Sequence, residues 1–354
     1  MKKIGILTFH FAYNYGAMLQ AFALKKYLSD AFAVHIINYQ PQKTMKIYSN
    51  NPFIYGFHPR MIINRMRDWP RKRRQTIVFE EFKKRCLGVS GKSFFSVDQL
   101  KQCLNQNDIN IFGSDQIWNL NITGNTPEYY GALCSKNNYN MVYAGSFGHD
   151  SLSEKEKEYI QYLSIYDEVS VREEYAKYIL EGAGIDAAHV CDPVFLIEQC
   201  VWKNIARKPK GIGKEKYLLY YTLKNDEELI STANDISKRL GIKIISIHPN
   251  ANRIDIGKQL LGIGPQEFLW LIMNADYICT NSFHASAFSL IFRKKLIHSQ
   301  LEEGKGRVQS LLDTVSANNT VDENGIQCID LSETDDNNLL SYINKSKEFL
   351  ARIR

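Results

Sequence analysis

No apolar run in this chain of 354 residues approaches the roughly 20 residues that a membrane-crossing helix needs. Seven cysteines, an odd number, are scattered with no CxxC spacing, which argues against a disulfide framework and a structural zinc site and fits a reducing compartment. Eight histidines show no HxxxH or HExxH spacing, so no metal is indicated. There is no GxGxxG fingerprint, which leaves a dinucleotide fold without support. Internal repeats and low-complexity tracts are missing too. The start, Met1-Lys2-Lys3 followed by Ile4-Gly5-Ile6-Leu7, reads as a first strand rather than a signal peptide. The expected location is the cytoplasm.

What is present is the composition of a soluble globular protein, 44% hydrophobic and 23% charged, in a chain long enough for two domains. The net charge of +6 is concentrated in one place. Between Arg60 and Arg85 stand ten Lys/Arg against three acids, a local +7 that leaves −1 for the rest.

Strand and helix patterns alternate. Lys3–Phe9 reads as a buried strand, Gly16–Leu28 as a helix and Val34–Asn38 as a second strand, a βαβ opening that forces a parallel sheet. Further strands are expected at Ile109–Phe112, Met141–Ser146 and Glu168–Val171, the last leading into a helix over Glu173–Glu181. Lys203–Gly213 reads as a linker. A second α/β run follows from Tyr217, with a strand at Asp276–Cys279 and a helix from Ser282. The fold class is therefore α/β, two Rossmann-like domains facing a cleft. The expected limits are 1–202 for the first domain, with an insertion at about 41–90, and 203–334 for the second. A terminal helix over 335–354 packs back on the first domain in this reading.

The chemistry-bearing residues fall at expected strand ends, where open α/β sheets bind ligands. Thr280-Asn281-Ser282-Phe283-His284 places His284 early in a helix, whose unpaired N–H groups favour an anion. A lone histidine more often satisfies a buried backbone group, but Asn281, Ser282 and the downstream Lys305-Gly306-Arg307 tilt this one toward function. Asn14-Tyr15-Gly16 opens the first helix, and the glycine permits close approach of a phosphate or sugar; the bland reading is an Asn cap and helix–sheet packing. Ser114, Asp115 and Trp118 follow the strand Ile109–Phe112 and suit a sugar, although Trp118 serves equally as a core anchor. Ser146 ends another strand and leaves room for a ligand. Arg172, at the end of Glu168–Val171, is either an anion clamp or the partner of Glu173, Glu174 or Asp192. The basic segment, interleaved with Phe53, Tyr55, Phe57, Met61, Ile62, Ile63 and Trp69, matches an anionic membrane surface better than nucleic acid. A solvated helix face is the plain alternative.

Taken in order, Asn14–Leu24, Gly113–Asn119, Ser170-Val171-Arg172-Glu173, Asp192-Pro193 and Asn281–Ala285 resemble the polysaccharide pyruvyl transferase family. The resemblance runs from the first strand to about Thr314. It implies a GT-B-like fold and transfer of a pyruvyl group from phosphoenolpyruvate onto two hydroxyls of one sugar, forming a cyclic ketal. It further implies a lipid-linked surface-polysaccharide acceptor, peripheral contact with the inner face of the plasma membrane through residues 60–85, and no cofactor beyond the donor substrate. On this resemblance His284 is the general acid, Arg172 and Arg307 hold the donor with Lys305 in support, and Asn14, Asp115 and Trp118 serve the acceptor. Well-studied members carry Arg-Leu-His where this chain has Ser282-Phe283-His284. Either Lys305 or Arg307 replaces the missing cation, or the donor differs. A GT-B glycosyltransferase using a nucleotide sugar, with Glu302 or Glu303 on its ribose, is the second reading. A non-catalytic glycan-binding or scaffold protein is the third.

Overall fold

The computed structural model describes residues 1–41, 59–89, 93–124, 126–299, 305–332, 334 and 336–353, with the side chains of 59–65, 305 and 336 left aside. Two sheets dominate. The first runs in the order β2-β1-β3-β4-β5-β6, where β1 is Lys3–Leu7, β2 Ala33–Ile36, β3 Ile109–Phe112, β4 Tyr139–Gly145, β5 Glu168–Val171 and β6 Ala188–His189. Every pairing in it is parallel. β1, β3 and β4 are close to continuous apolar runs, as strands buried on both faces must be, and Ile4, Ile6, Ile111 and Met141 are fully enclosed.

The second sheet runs β12-β13-β11-β10-β7-β8-β9, where β7 is Tyr217–Tyr221, β8 Lys243–Ile247, β9 Lys258–Gln259, β10 Tyr277–Thr280, β11 Lys295–His298, β12 Thr320–Val321 and β13 Gln327–Asp330. It is parallel from β11 to β9, with β13 antiparallel to both β11 and β12.

Each sheet has one point where the chain reverses its direction of winding. In the first it lies between β1 and β3, in the second between β7 and β10. Parallel α/β sheets bind ligands beyond the carboxyl ends of such strand pairs. Asn14 and Asp115 follow the first pair, and Leu223 and His284 follow the second.

The two halves share apolar core. Tyr15, at the start of the helix Tyr15–Leu28, stacks between Phe79 of one half and Phe268 of the other, at centroid distances of 5.4 and 4.6 Å. The helix Asp336–Leu350 returns to the first sheet, where Ser346 Oγ accepts from the Cys191 N–H and Tyr342 donates to the Val190 carbonyl.

The basic segment forms the helix Pro59–Arg85, and the sequence reading of it as a surface insertion needs correction. Phe79 and Phe82 are buried. Arg71 donates to Gln259 Oε1 and to the Ala251 carbonyl, and Gln75 to the Ile263 carbonyl, all in the second half. This helix joins the two halves along one face, while Met66, Trp69 and Ile77 stay exposed. Phe53, Tyr55 and Phe57 lie outside the described residues, as do the side chains of Arg60, Met61, Ile62, Ile63 and Arg65. Among the described residues no helix is long and apolar enough to cross a membrane.

Candidate active site

The loops beyond the two winding reversals enclose one small cavity, of about 80 Å3, lined by Asn14, Asp115, Gln116, Ser282, His284 and Arg307 among apolar neighbours such as Phe9, Phe11, Leu223 and Phe283. Three larger depressions lie elsewhere among the described residues, and their linings carry no histidine.

His284 is the second residue of the helix Phe283–Ile291, capped by Ser282, whose Oγ accepts from the Ala285 N–H at 3.4 Å. Its ring Nε2 lies 3.4 Å from Asp192 Oδ2, oriented for ion pairing rather than for an aligned hydrogen bond. The other side of the ring is closed by Gly16. An ideal Cβ placed there would sit 1.9 Å from His284 Nδ1, so the glycine is required by the imidazole from the opposite half. The sequence-based expectation that Gly16 admits a phosphate or sugar is corrected accordingly.

Asp192 is buried, and its carboxylate is the hub behind the histidine. Oδ2 also accepts from Arg172 Nη1 at 3.0 Å and lies 3.4 Å from Ser114 Oγ, while Oδ1 accepts from the Val194 N–H. Burial opposes its ionisation, but the His284 imidazole, Arg172 and the Val194 N–H outweigh burial and bring its pKa from 3.8 down to about 2. A depressed carboxylate stabilises the fold above its unfolded pKa and loses that contribution as pH falls through the folded value. The stability difference between wild type and Asp192→Asn should therefore shrink by about 2 kcal/mol from pH 5 toward pH 2, read by urea unfolding at stepped pH. A difference independent of pH would remove the carboxylate's charge from the account.

Arg172 does not reach out to a ligand. It is buried, its Nε donates to Glu173 Oε1 at 2.9 Å, its Nη1 to Asp192 and its Nη2 to Ser146 Oγ, and Asp115 Oδ1 stands 3.7 Å away. Burial works against its charge, and Glu173, Asp192 and Asp115 more than reverse that, raising its pKa. Its plane covers the Phe283 ring at 4.4 Å. The expectation of a donor clamp gives way to that of a positioning residue whose fork is already filled. Ser146, bonded to Glu173 and Arg172, belongs to the same lattice, and so does Ser114.

Arg307 behaves differently. It is the third residue of the helix Lys305–Thr314, it lines the cavity, and its buried Nε has no hydrogen-bond partner. Burial, then the nearby Arg172 charge, lower its pKa against the pull of Glu173, Tyr175 and Asp115. A cation in that state gains most from an incoming anion. The side chain of Lys305 lies outside the described residues, as do Glu302 and Glu303.

Three further expectations are corrected. Trp118 is fully buried, with Nε1 donating to the Tyr129 carbonyl, so it anchors the core and stacks on no ligand. Tyr15 is held inside the aromatic stack. Asn281 ties the loop after β7, accepting from the Leu223 N–H and donating to the Lys224 carbonyl. Asn14 caps its helix through Oδ1, accepting from the Ala17 N–H, and still lines the cavity. The sequence reading missed Asp192 and Glu173 as site residues. Asp192 stood in the sequence only as a possible partner of Arg172 and within a stretch that carries the family resemblance, and nothing local announces a contact 92 positions away.

Two α/β halves whose winding reversals meet over one cavity define a two-domain fold of the GT-B kind. One solved structure agrees in fold. That of S. aureus MnaA with UDP aligns over 100% of this chain and 98% of its own, with a TM-score of 0.54 and 11% identity. A Methanocaldococcus jannaschii UDP-GlcNAc 2-epimerase with UDP-GlcNAc and UDP covers 90% and 87% at 14% identity and a TM-score of 0.46. E. coli ADP-heptose LPS heptosyltransferase II covers 100% of both chains at 11% identity and 0.35. At 11% identity the likeness to MnaA shows the fold alone. No curated protein matches the chain. Residues 14–298 match the polysaccharide pyruvyl transferase family, and the chain belongs to it.

Proposed function

We propose that the protein transfers pyruvate from phosphoenolpyruvate to two hydroxyls of one sugar in a lipid-linked polysaccharide precursor, forming a cyclic ketal. The observation that carries this reading is that His284, backed by Asp192, and Arg307, whose Nε has no partner, line one cavity. Protonation of the donor's methylene carbon by the His284 imidazolium generates a cationic centre at C2. A sugar hydroxyl adds there, phosphate departs, and a second hydroxyl closes the ring. His284 suits the acid role because its ring is held facing the Asp192 carboxylate, Nε2 to Oδ2 at 3.4 Å, at the wall of the cavity. Arg307 supplies the cation for the donor's phosphate or carboxylate, in place of the arginine that Ser282 replaces.

Cavity size favours a compact anion. Sites for drug-sized ligands run to about 300–1,000 Å3, well above the 80 Å3 here, which suits the small donor alone. Phosphoenolpyruvate should raise the melting temperature, since a ligand that binds only the folded state stabilises it, and UDP- or GDP-sugars should not. The reverse pattern would end the ketal proposal. The lipid-linked part rests on Met66, Trp69 and Ile77, exposed beside arginines. In the same series the chain should co-sediment with anionic vesicles but not with neutral ones, and sedimentation with neither would confine the acceptor to soluble glycans.

A further inference from the structure

A ketal forms from two hydroxyls, so two protons must be taken from the acceptor, whereas His284 accounts for one. The lining of the cavity restricts the second carrier. Asn14, Gln116 and Ser282 are neutral, and Arg307 is a cation with no basic lone pair. Glu173 and Asp192 are carboxylates but stand behind the cavity wall, each about 1% exposed and bonded to Arg172. Asp115 is the one carboxylate among the described lining residues.

Its placement is built into the fold. Asp115 follows β3 at the winding reversal of the first sheet, and its backbone is held at φ 75°, a left-handed conformation that non-glycine residues rarely adopt and that Asp and Asn tolerate best. Such outliers persist where the surroundings enforce them. Here its backbone bridges to Gly145 and its carbonyl accepts from the Ile117 N–H. Arg172 Nη1 stands 3.7 Å from Oδ1, close enough to balance the carboxylate's charge without an aligned hydrogen bond that would occupy it.

We propose that Asp115 is the second proton carrier, accepting the proton of the first sugar hydroxyl; this rests on the ketal reading above. In the addition step the His284 imidazolium gives its proton to the methylene carbon, the C=C π pair forms the new C–H bond, and the hydroxyl oxygen bonds to C2 as its proton passes to Asp115. In the closing step the second hydroxyl bonds to C2, its proton returns to His284, the C2–O bond to phosphate breaks, and Asp115 delivers its proton to the departing phosphate. Both residues end the cycle as they began it. One acceptor proton resides in the new methyl group and the other on inorganic phosphate.

The test measures phosphate release from phosphoenolpyruvate with synthetic glycosides carrying paired hydroxyls, in wild type, Asp115→Asn and Asp115→Gly. Both variants suit the backbone, because Asn tolerates a positive φ and glycine adopts it freely. General base catalysis contributes about 10²–10⁴-fold, so kcat should fall by that factor in both. Thermal stabilisation by phosphoenolpyruvate should persist. Added formate should restore part of the Asp115→Gly rate, which a merely structural loss would not permit. If Asp115→Asn keeps kcat within threefold, or formate restores nothing while the variant still binds donor, Asp115 is not the carrier and the ketal reading stands without it. A wild-type chain that releases no phosphate with any glycoside removes the ketal reading, and the role of Asp115 with it.

Discussion

Replacing His284 with alanine should abolish ketal formation, lowering kcat by at least the 10²–10⁴ that a general acid contributes, with donor affinity nearly unchanged. The separation follows from geometry. In the proposed reaction the donor's charge falls to Arg307, whose Nε lacks a partner, whereas the imidazole beside Asp192 acts on the carbon skeleton. Single-turnover measurements with phosphoenolpyruvate should show the loss in the chemical step. His284→Gln offers a control of similar polarity that keeps a group opposite Asp192, and it should be as inactive as the alanine variant. Turnover within a few-fold of wild type in either variant would take the acid role away from this residue.

The second large effect is expected at a position with no chemistry of its own. Gly16 has an unremarkable φ, so alanine is allowed there by the backbone, and in a helix alanine is normally favoured over glycine by about 1 kcal/mol. The sign should be reversed here. The added methyl would fall 1.9 Å from His284 Nδ1 and 2.1 Å from Cγ, and real atoms do not approach so closely. Either the imidazole turns away from Asp192 or the two halves part. Gly16→Ala should therefore lower kcat by about 10²-fold, as misplacement of a catalytic group by an ångström does. Overpacking should also lower stability by about 1–3 kcal/mol. A more stable and fully active Gly16→Ala would mean that the ring does not rest against this helix.

The sequence made the sheets legible because parallel strands buried on both faces are short apolar runs between polar loops. β1, β3, β5, β7 and β10 were all anticipated within one or two residues. The short strands β6, β9 and β12, two residues each, carry too little pattern to be seen. The helix Pro59–Arg85 was obscured by Pro70 in its interior and by charge that hides a narrow inward stripe of Gln75, Phe79 and Phe82.

At the site, His284 and Arg307 were legible because each sits where a helix begins beyond a strand. Arg172 was legible as either clamp or ion-pair partner, and only three-dimensional placement of Glu173, Asp192 and Asp115 around one guanidinium decides it. Trp118 illustrates the opposite failure. An aromatic residue among polar neighbours looks the same in sequence whether it meets a sugar or the protein's own interior.

The helix that reaches across both halves has a mechanical consequence. Gln75 and Arg71 grip the second sheet's loops while Phe79 and Phe82 are sunk in the first, and Tyr15 is wedged between them. A clam-like swing about the linker would tear this brace at several points together. The cavity is therefore braced, and His284 and Arg307 share its lining without any swing of the halves.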